Sequence, residues 1–276
     1  MPADLIATLM ELQARRKFHI SLANKNTNAA GALVRRALGW RYDDPQKEKV
    51  NKRAAGLLAA ALAGKPPKPE DAAVMAAVEA DLQLIAHAVG LYGRARHEVE
   101  MEMARAVRRL PIHPFAKAVK GLGDLGLAVI IGEAGDIGAY AHEDPLHKRL
   151  GLMTFEGKAF STWRREGGLS AEDWTRAGYA PRRRAEMFAV IGEPLFRAQS
   201  VAKGPYRAIY DTRRARTAET RPDWTKGHSH HDALRVMTKA LISDLRSAWR
   251  RDGDCAPARD RRSAPASTIG SAEAAA

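Results

Sequence analysis

The segment from Phe115 to Ile137 constrains the fold more than any other part of the chain, because it joins two closely spaced glycines to an apolar run. Its sequence, FAKAVKGLGDLGLAVIIGEAGDI, predicts a short helix, a turn at Gly121-Leu122-Gly123, and a second helix with Asp124 as its N-cap. Glycine suits such a turn because it adopts positive φ and has no Cβ to obstruct a close approach. The segment therefore predicts a tight helical hairpin.

This hairpin has two interpretations. In the first, backbone N–H groups at the start of the second helix bind an anion, as in the helix-hairpin-helix motif, which contacts nucleic-acid phosphate without reading bases. In the second, the glycines serve only the packing of two helices. Two lysines precede the turn in a chain of net charge +13, which favours the first interpretation. The predicted nucleic-acid contacts of this segment are Lys117, Lys120, Gly121, Leu122 and Gly123.

Composition narrows both the partner and the fold class. Lys and Arg number 45 against 32 Asp and Glu, and the sequence pI is ≈ 10.1. Such a basic chain fits a polyanionic partner, most simply DNA or RNA, although a basic composition can also serve solubility alone. Aromatic residues make up 6% of the chain and alanine is abundant, which favours helices over strands. We expect an all-α fold, with a helical arm or coiled coil followed by a compact helix-hairpin-helix domain.

Cysteine usage and the N-terminus bear on the cellular compartment. The single cysteine, Cys255, allows neither a disulfide framework nor a cysteine-based zinc site within one chain. The residues from Met1 to Asp4 lack the basic and apolar regions of a signal peptide. No apolar run approaches the ~18 residues that span a bilayer. We therefore expect a cytoplasmic, nucleoid-associated protein with no membrane partner.

The chain divides into three predicted regions. Residues 1–110 form a helical region with a polar break at Asn24–Asn28 and a long arm from Glu70 to Leu110. The charge-dense arm is typical of a long solvated helix or an antiparallel coiled coil, and we expect it to form a homo-oligomer. Residues 111–253 form the helix-hairpin-helix domain. Residues 254–276, which are rich in Ala, Pro, Ser and Arg, are expected to be disordered.

A series of segments resembles one known family. KGLGDLGLAVIIGEAGDIGAY (Lys120–Tyr140), KRLGL (Lys148–Leu152), YAPRRRAEMF (Tyr179–Phe188) and the final segment Lys226–Arg251 are similar to the C-terminal half of IS-one-ten insertion-sequence transposases, the bridge-RNA-guided DEDD recombinases. The resemblance extends over residues 75–251. It implies a mobile-element protein that binds DNA during transposition and recombination, with a structured guide RNA as a further partner.

That family also has an N-terminal ribonuclease-H-like domain with four metal-binding acids. Residues 1–110 have helical patterning and no strand-rich DxD segment. The resemblance then implies that this chain lacks its own catalytic domain and holds no cofactor itself, with Mg²⁺ required only where a partner supplies the DEDD domain. Three functions stay open: a transposase or recombinase component, a non-catalytic nucleic-acid-binding helical protein, and a structural helical protein that oligomerises through the arm.

One serine is the candidate nucleophile. The resemblance implies that a serine of the C-terminal domain attacks DNA, and two serines lie between the KRLGL segment and the arginine-rich segment. Ser170 precedes Ala-Glu-Asp and is explained as a helix N-cap. Ser161 lies in a glycine-framed loop between Lys158 and Arg164, where cations can activate a nucleophile. Ser161 is therefore the predicted catalytic residue, should the chain be catalytic.

Clusters of cationic side chains complete the predicted interface. The planar guanidinium of arginine suits phosphate, whereas the alternative is that these clusters are solvated helix faces. The predicted arginine contacts are Arg182, Arg183, Arg184, Arg213 and Arg214. His228, His230 and His231 are interpreted as a polar helix start able to touch phosphate. Their spacing fits no closed zinc site with Cys255, so no metal site is predicted.

Overall fold

A computed structural model describes residues 2–155, 163, 167–177, 181–202 and 204–251. Across these residues the regular secondary structure is helical, which confirms the all-α prediction. The helices group into two compact units, one formed by Glu11–Glu102 and the other by the described parts of Met1–Met10 and Met103–Ala276. The predicted disordered tail, residues 254–276, lies outside the described residues.

The unit Glu11–Glu102 contains most of two long helices. The first, α1, runs Pro2–Ala37, and α4 runs Glu79–Val107. Between them lie α2 (Lys47–Leu62), a 3₁₀ turn (Pro69–Asp71) and α3 (Ala72–Ala76).

Within this unit α1 and α4 are antiparallel. Arg16 of α1 donates from Nε to Glu100 Oε1 of α4 at 2.8 Å. Val34, about five turns further along α1, shares a core with Leu82, near the start of α4. The buried members of that core are Ala30, Val34, Ala54, Leu57, Leu58, Met75 and Leu82. The helical arm therefore has an antiparallel partner within its own chain.

The predicted break at Asn24–Asn28 is wrong, because α1 continues through it. Asn26 Nδ2 and Thr27 Oγ1 each donate at 2.9 Å to the carbonyl four residues earlier. Polar side chains of this kind often compete with the helix for backbone groups. Here they bond to the carbonyls of their own helix, so the ladder stays continuous.

The predicted arm Glu70–Leu110 is not a single straight helix. Pro69–Ala76 and Glu79–Val107 are separate helical pieces that meet at a bend of 82°. Gly90 and Gly93 do not interrupt α4. Among the described residues no single helix has the length and apolar character needed to cross a bilayer, although this bent pair together meets that test.

The other unit is organised around two helices that supply much of its core. The first, α6 (Gly123–Ala134), follows α5 (His113–Ala118) and is buried along most of its length, as expected for a helix that is apolar on every side. The second, α12 (Lys226–Arg250), packs along α11 (Pro205–Thr220). The remaining helices are α7 (Glu143–Arg149), α8 (Ala171–Ala177), α9 (Pro181–Glu186) and α10 (Glu193–Ala202), with a π-helical segment, Met187–Gly192, joining α9 to α10.

The π-helical segment ends at Gly192, two residues before Pro194. The chain stays helical from α9 into α10, because the π-helical segment ends at Gly192 and α10 begins at the next residue, Glu193. A Cβ on Gly192 would lie 3.1 Å from Thr238 Oγ1, so this glycine lets the segment lie close against α12.

Candidate nucleic-acid interface

The predicted helical hairpin is present at the start of α6. Helix α5 ends at Ala118 and α6 begins at Gly123. The backbone N–H of Leu122 donates to the Val119 carbonyl at 3.2 Å across the turn. Gly121 and Gly123 have φ values of +95° and +61°, which glycine adopts without steric cost.

The two glycines of this turn have different surroundings. A Cβ on Gly121 would lie 2.7 Å from Leu195 Cα, so Gly121 lets the turn pack on the backbone of α10. Gln199 of α10 also donates from Nε2 to the Lys120 carbonyl at 3.3 Å. A Cβ on Gly123 would meet nothing within 4 Å. The packing interpretation therefore applies to Gly121, whereas Gly123 is exposed at the start of α6.

The side chains beside the turn also differ in exposure, since the lysines are exposed and Leu122 is buried. Lys117 and Lys120 are exposed, and neither makes an ion pair within the described part of the chain. Leu122 is 3% exposed, so its side chain belongs to the core, and its backbone N–H is already bonded to the Val119 carbonyl. Exposed lysines therefore lie on one side of the turn, and apolar packing on the other.

Asp124 anchors the hairpin rather than capping it, which corrects the sequence prediction. Leu122 occupies the N-cap position and Asp124 lies in the first turn of α6. Its carboxylate accepts from Arg108 Nε at 2.6 Å and bonds His113 Nε2 at 2.9 Å. Burial acts to raise the pKa of Asp124, but these bonds from His113 and Arg108 outweigh it and hold the pKa below its ordinary value.

The arginines of α9 differ in what they contact. Arg182 is exposed. Arg183 donates from Nε to Glu133 Oε2 at 2.9 Å, and Glu133 is 3% exposed. Arg184 donates from Nη1 to the Gly151 carbonyl at 3.3 Å. Two of the three predicted phosphate contacts on α9 therefore already hold internal acceptors.

The predicted arginines of α11 are likewise tied to α12. Arg213 donates from Nε to Asp232 Oδ2 at 2.5 Å, and Arg235 reaches the other oxygen of the same carboxylate at 2.7 Å. Although burial acts to raise it, these two bonds lower the pKa of Asp232. Arg214 donates from Nη1 to the Lys226 carbonyl at 3.0 Å. The bonds of Arg213 and Arg214 hold α11 against α12.

A chain of three polar side chains joins α10, α11 and α12, and it was not predicted from the sequence. Tyr210 Oη lies 2.7 Å from His230 Nδ1, and His230 Nε2 lies 3.0 Å from Glu193 Oε1. Burial raises the pKa of Tyr210. His230 therefore links three helices instead of presenting itself to solvent, whereas His228 and His231 are exposed. No local pattern could have revealed partners 20 and 37 positions away.

Of the two candidate serines, only Ser170 lies among the described residues. Its Oγ accepts from the backbone N–H of Asp173 at 3.0 Å, which confirms the predicted N-cap. Ser161, the candidate nucleophile, lies outside the described residues, as does Cys255. In the ranges that the structure describes, no three His, Cys, Asp or Glu side chains are grouped to hold a metal ion.

Comparisons with known proteins return no significant match to a protein-family model, a curated protein or a solved structure. The likeness to IS-one-ten transposases therefore rests on the sequence segments alone.

Proposed function

We propose that this chain binds DNA through the phosphate backbone, with the α5–α6 turn as a principal contact. The observation that carries the proposal is the exposed start of α6, where Gly123 has positive φ and an added Cβ would meet nothing within 4 Å beyond its chain neighbours and its own helix. The first N–H groups of a helix have no partner within it, and the helix dipole favours an anion there. Lys117 and Lys120 add exposed positive charge beside these groups.

This contact is expected to position DNA without reading its sequence. Backbone amides and lysines bind phosphate oxygens, which are the same for every base pair. Asp124 is the acid nearest to the turn in sequence, and its bonds to Arg108 and His113 offset its repulsion of phosphate. Binding should therefore be salt-dependent and weakly selective.

The biological setting that we propose is DNA transposition and recombination, and it rests on the segments that resemble IS-one-ten transposases. Among the described residues from Pro2 to Leu110 the regular secondary structure is helical, with no strand. A ribonuclease-H-like catalytic domain with its Mg²⁺ would then come from a partner. A strand-rich acidic protein that restores DNA strand transfer when added with Mg²⁺ would support this role.

The same helical N-terminal region favours the second candidate function, a non-catalytic nucleic-acid-binding protein. That candidate keeps the hairpin contact but requires no partner with metal-binding acids. Stable duplex binding, with no strand transfer in the presence of any such partner, would favour it. The two candidates share the α5–α6 turn, so one binding experiment tests their common part.

The matched pair Gly123→Asn and Gly123→Asp provides that experiment. Asparagine and aspartate have the same shape and both tolerate positive φ better than most residues, but only aspartate adds negative charge beside the amides. We expect the Asp variant to bind a fluorescein-labelled duplex about ten-fold more weakly than the Asn variant at low salt, measured by fluorescence anisotropy. Thermal melting should show both variants folded. Equal affinities for folded Asn and Asp variants would remove the turn from the DNA interface.

A further inference from the structure

The turn between α11 and α12 carries a tryptophan on an exposed surface. Residues 218–223 and 225–228 are all exposed, and Trp224 is the partly covered side chain between them. Polar and charged groups contribute to its cover. The Arg221 guanidinium lies over the indole, with Cζ 5.8 Å from the ring centroid, and the His228 ring meets it edge-on at 6.4 Å.

Hydrogen bonds hold this turn in one shape. The Thr225 side chain accepts from the His228 backbone N–H at 3.2 Å and caps α12. Beneath the turn, Thr217 Oγ1 and Ser229 Oγ lie 2.6 Å apart, and both residues are buried. The indole of Trp224 is therefore presented by a pair of fixed helices, so a ligand that stacks on it has little ordering entropy to overcome.

Charge around the indole favours an anionic ligand. Arg216, Arg221 and Lys226 are exposed near the turn, and Glu219 and Asp223 offset part of their charge. An indole with an arginine over part of it and further exposed cations near it in the sequence matches the chemistry of single-strand binding sites. In such sites a base stacks on the ring while cations contact the neighbouring phosphates. A duplex keeps its bases stacked on each other and offers no free face.

We propose that the α11–α12 turn binds single-stranded nucleic acid, with Trp224 stacking on an unpaired base and Arg221 and Lys226 contacting the flanking phosphates. This inference rests on the proposed function and adds a contact of a different kind. The α5–α6 turn binds a phosphate backbone whether or not its bases are paired. The α11–α12 turn selects nucleic acid whose bases are free.

Three substitutions of Trp224 test the proposal in the full chain. Trp224→Phe keeps an aromatic face, Trp224→Leu keeps apolar bulk without one, and Trp224→Ala removes both. The probe is a labelled poly-dT oligonucleotide, free or annealed to poly-dA. We expect the Leu and Ala variants to bind free poly-dT at least about ten-fold more weakly than wild type, with the Phe variant close to wild type. Affinity for the poly-dT·poly-dA duplex should stay unchanged in all three.

Tryptophan fluorescence gives a second readout. The chain has five tryptophans, so the contribution of Trp224 is the difference between the wild-type and Trp224→Phe signals. Saturation with poly-dT is expected to quench that difference signal, and the duplex is expected to leave it unchanged. Thermal melting of each variant identifies any loss of fold, and the Phe variant supplies a folded comparison.

Three outcomes would overturn the inference. Trp224→Leu could bind poly-dT as wild type does, it could lose single-strand and duplex binding equally, or its only change could be a lower melting temperature. The last result would make Trp224 a cap that stabilises the turn. Each of these leaves DNA binding through the α5–α6 turn intact, because the Gly123 pair tests that contact on duplex. Failure of the wild-type chain to bind any nucleic acid at low salt would instead overturn the proposed function.

Discussion

The α5–α6 turn and the helices α9 to α12 both carry cations, but they use them differently. At the turn, Lys117 and Lys120 are exposed and unpaired within the described part of the chain. On α9 and α11, by contrast, Arg183 and Arg213 hold the carboxylates of Glu133 and Asp232. A cation that already neutralises a buried acid has little charge left to offer phosphate. A basic composition therefore does not identify which of its cations are available to bind DNA.

Arg183→Ala is expected to have the largest effect on this comparison. The substitution leaves Glu133, 3% exposed, without the guanidinium that now bonds it. Loss of one partner of such a buried pair costs about 3 kcal/mol of unfolding free energy. Urea denaturation measures this loss, and duplex affinity of the folded protein should hardly change.

The double variant Arg183→Ala with Glu133→Gln is the control. Because it removes both charges, it should recover part of the stability that Arg183→Ala loses. If single and double variants are equally stable and both lose DNA binding, Arg183 is a phosphate contact and the contrast between the two regions fails.

A buried histidine under α12 gives the second test of the packed region. His147 is 1% exposed, and its Nε2 donates to the Lys239 carbonyl at 3.2 Å. Its Nδ1 is buried without a hydrogen-bond partner among the described residues. Burial, together with the positive charge of Lys239, lowers the pKa of His147 from 6.5 to about 4.

Stability is therefore expected to fall in acid. The unfolded chain takes up a proton at His147 near pH 6.5, whereas the folded chain does so only near pH 4, so stability is complete above the first value and declines toward the second. The full decline is about 3 kcal/mol. His147→Gln keeps an N–H donor for the Lys239 carbonyl and does not titrate. Urea denaturation at neutral pH and at about pH 4.5 should show a smaller decline for this variant. Parallel declines would assign the acid sensitivity to other groups.

Local sequence signals predicted much of the fold. Glycine spacing located the α5–α6 turn, and Ser170 and Asp173 gave an N-cap, because these features depend on neighbours a few residues apart. The histidines that were interpreted as a polar helix start do lie in the first turns of α12. The prediction of a break at Asn24–Asn28 was wrong because polar side chains occur both in loops and on the solvent side of helices. Whether such a segment stays helical depends on what the rest of α1 packs against.

Sequence reasoning could not separate the two kinds of cation in the candidate site. Arg183 and Glu133 are 50 positions apart, and Arg213 and Asp232 are 19 apart, so only the fold brings each pair together. The same holds for the two glycines of the turn. Gly121 and Gly123 are equivalent in the sequence, yet one faces the backbone of α10 and the other faces open space.

The most direct test of the account compares two double variants that remove the same charge from different places. Lys117→Ala with Lys120→Ala changes the α5–α6 turn, and Lys49→Ala with Lys52→Ala removes two exposed lysines from α2. The measurement is the slope of the logarithm of duplex affinity against the logarithm of salt concentration, between about 50 and about 200 mM. The account predicts that the turn variant lowers the slope by about two units, while the α2 variant keeps the wild-type slope. Equal changes in both variants would contradict it, since binding would then depend on net charge and not on the turn.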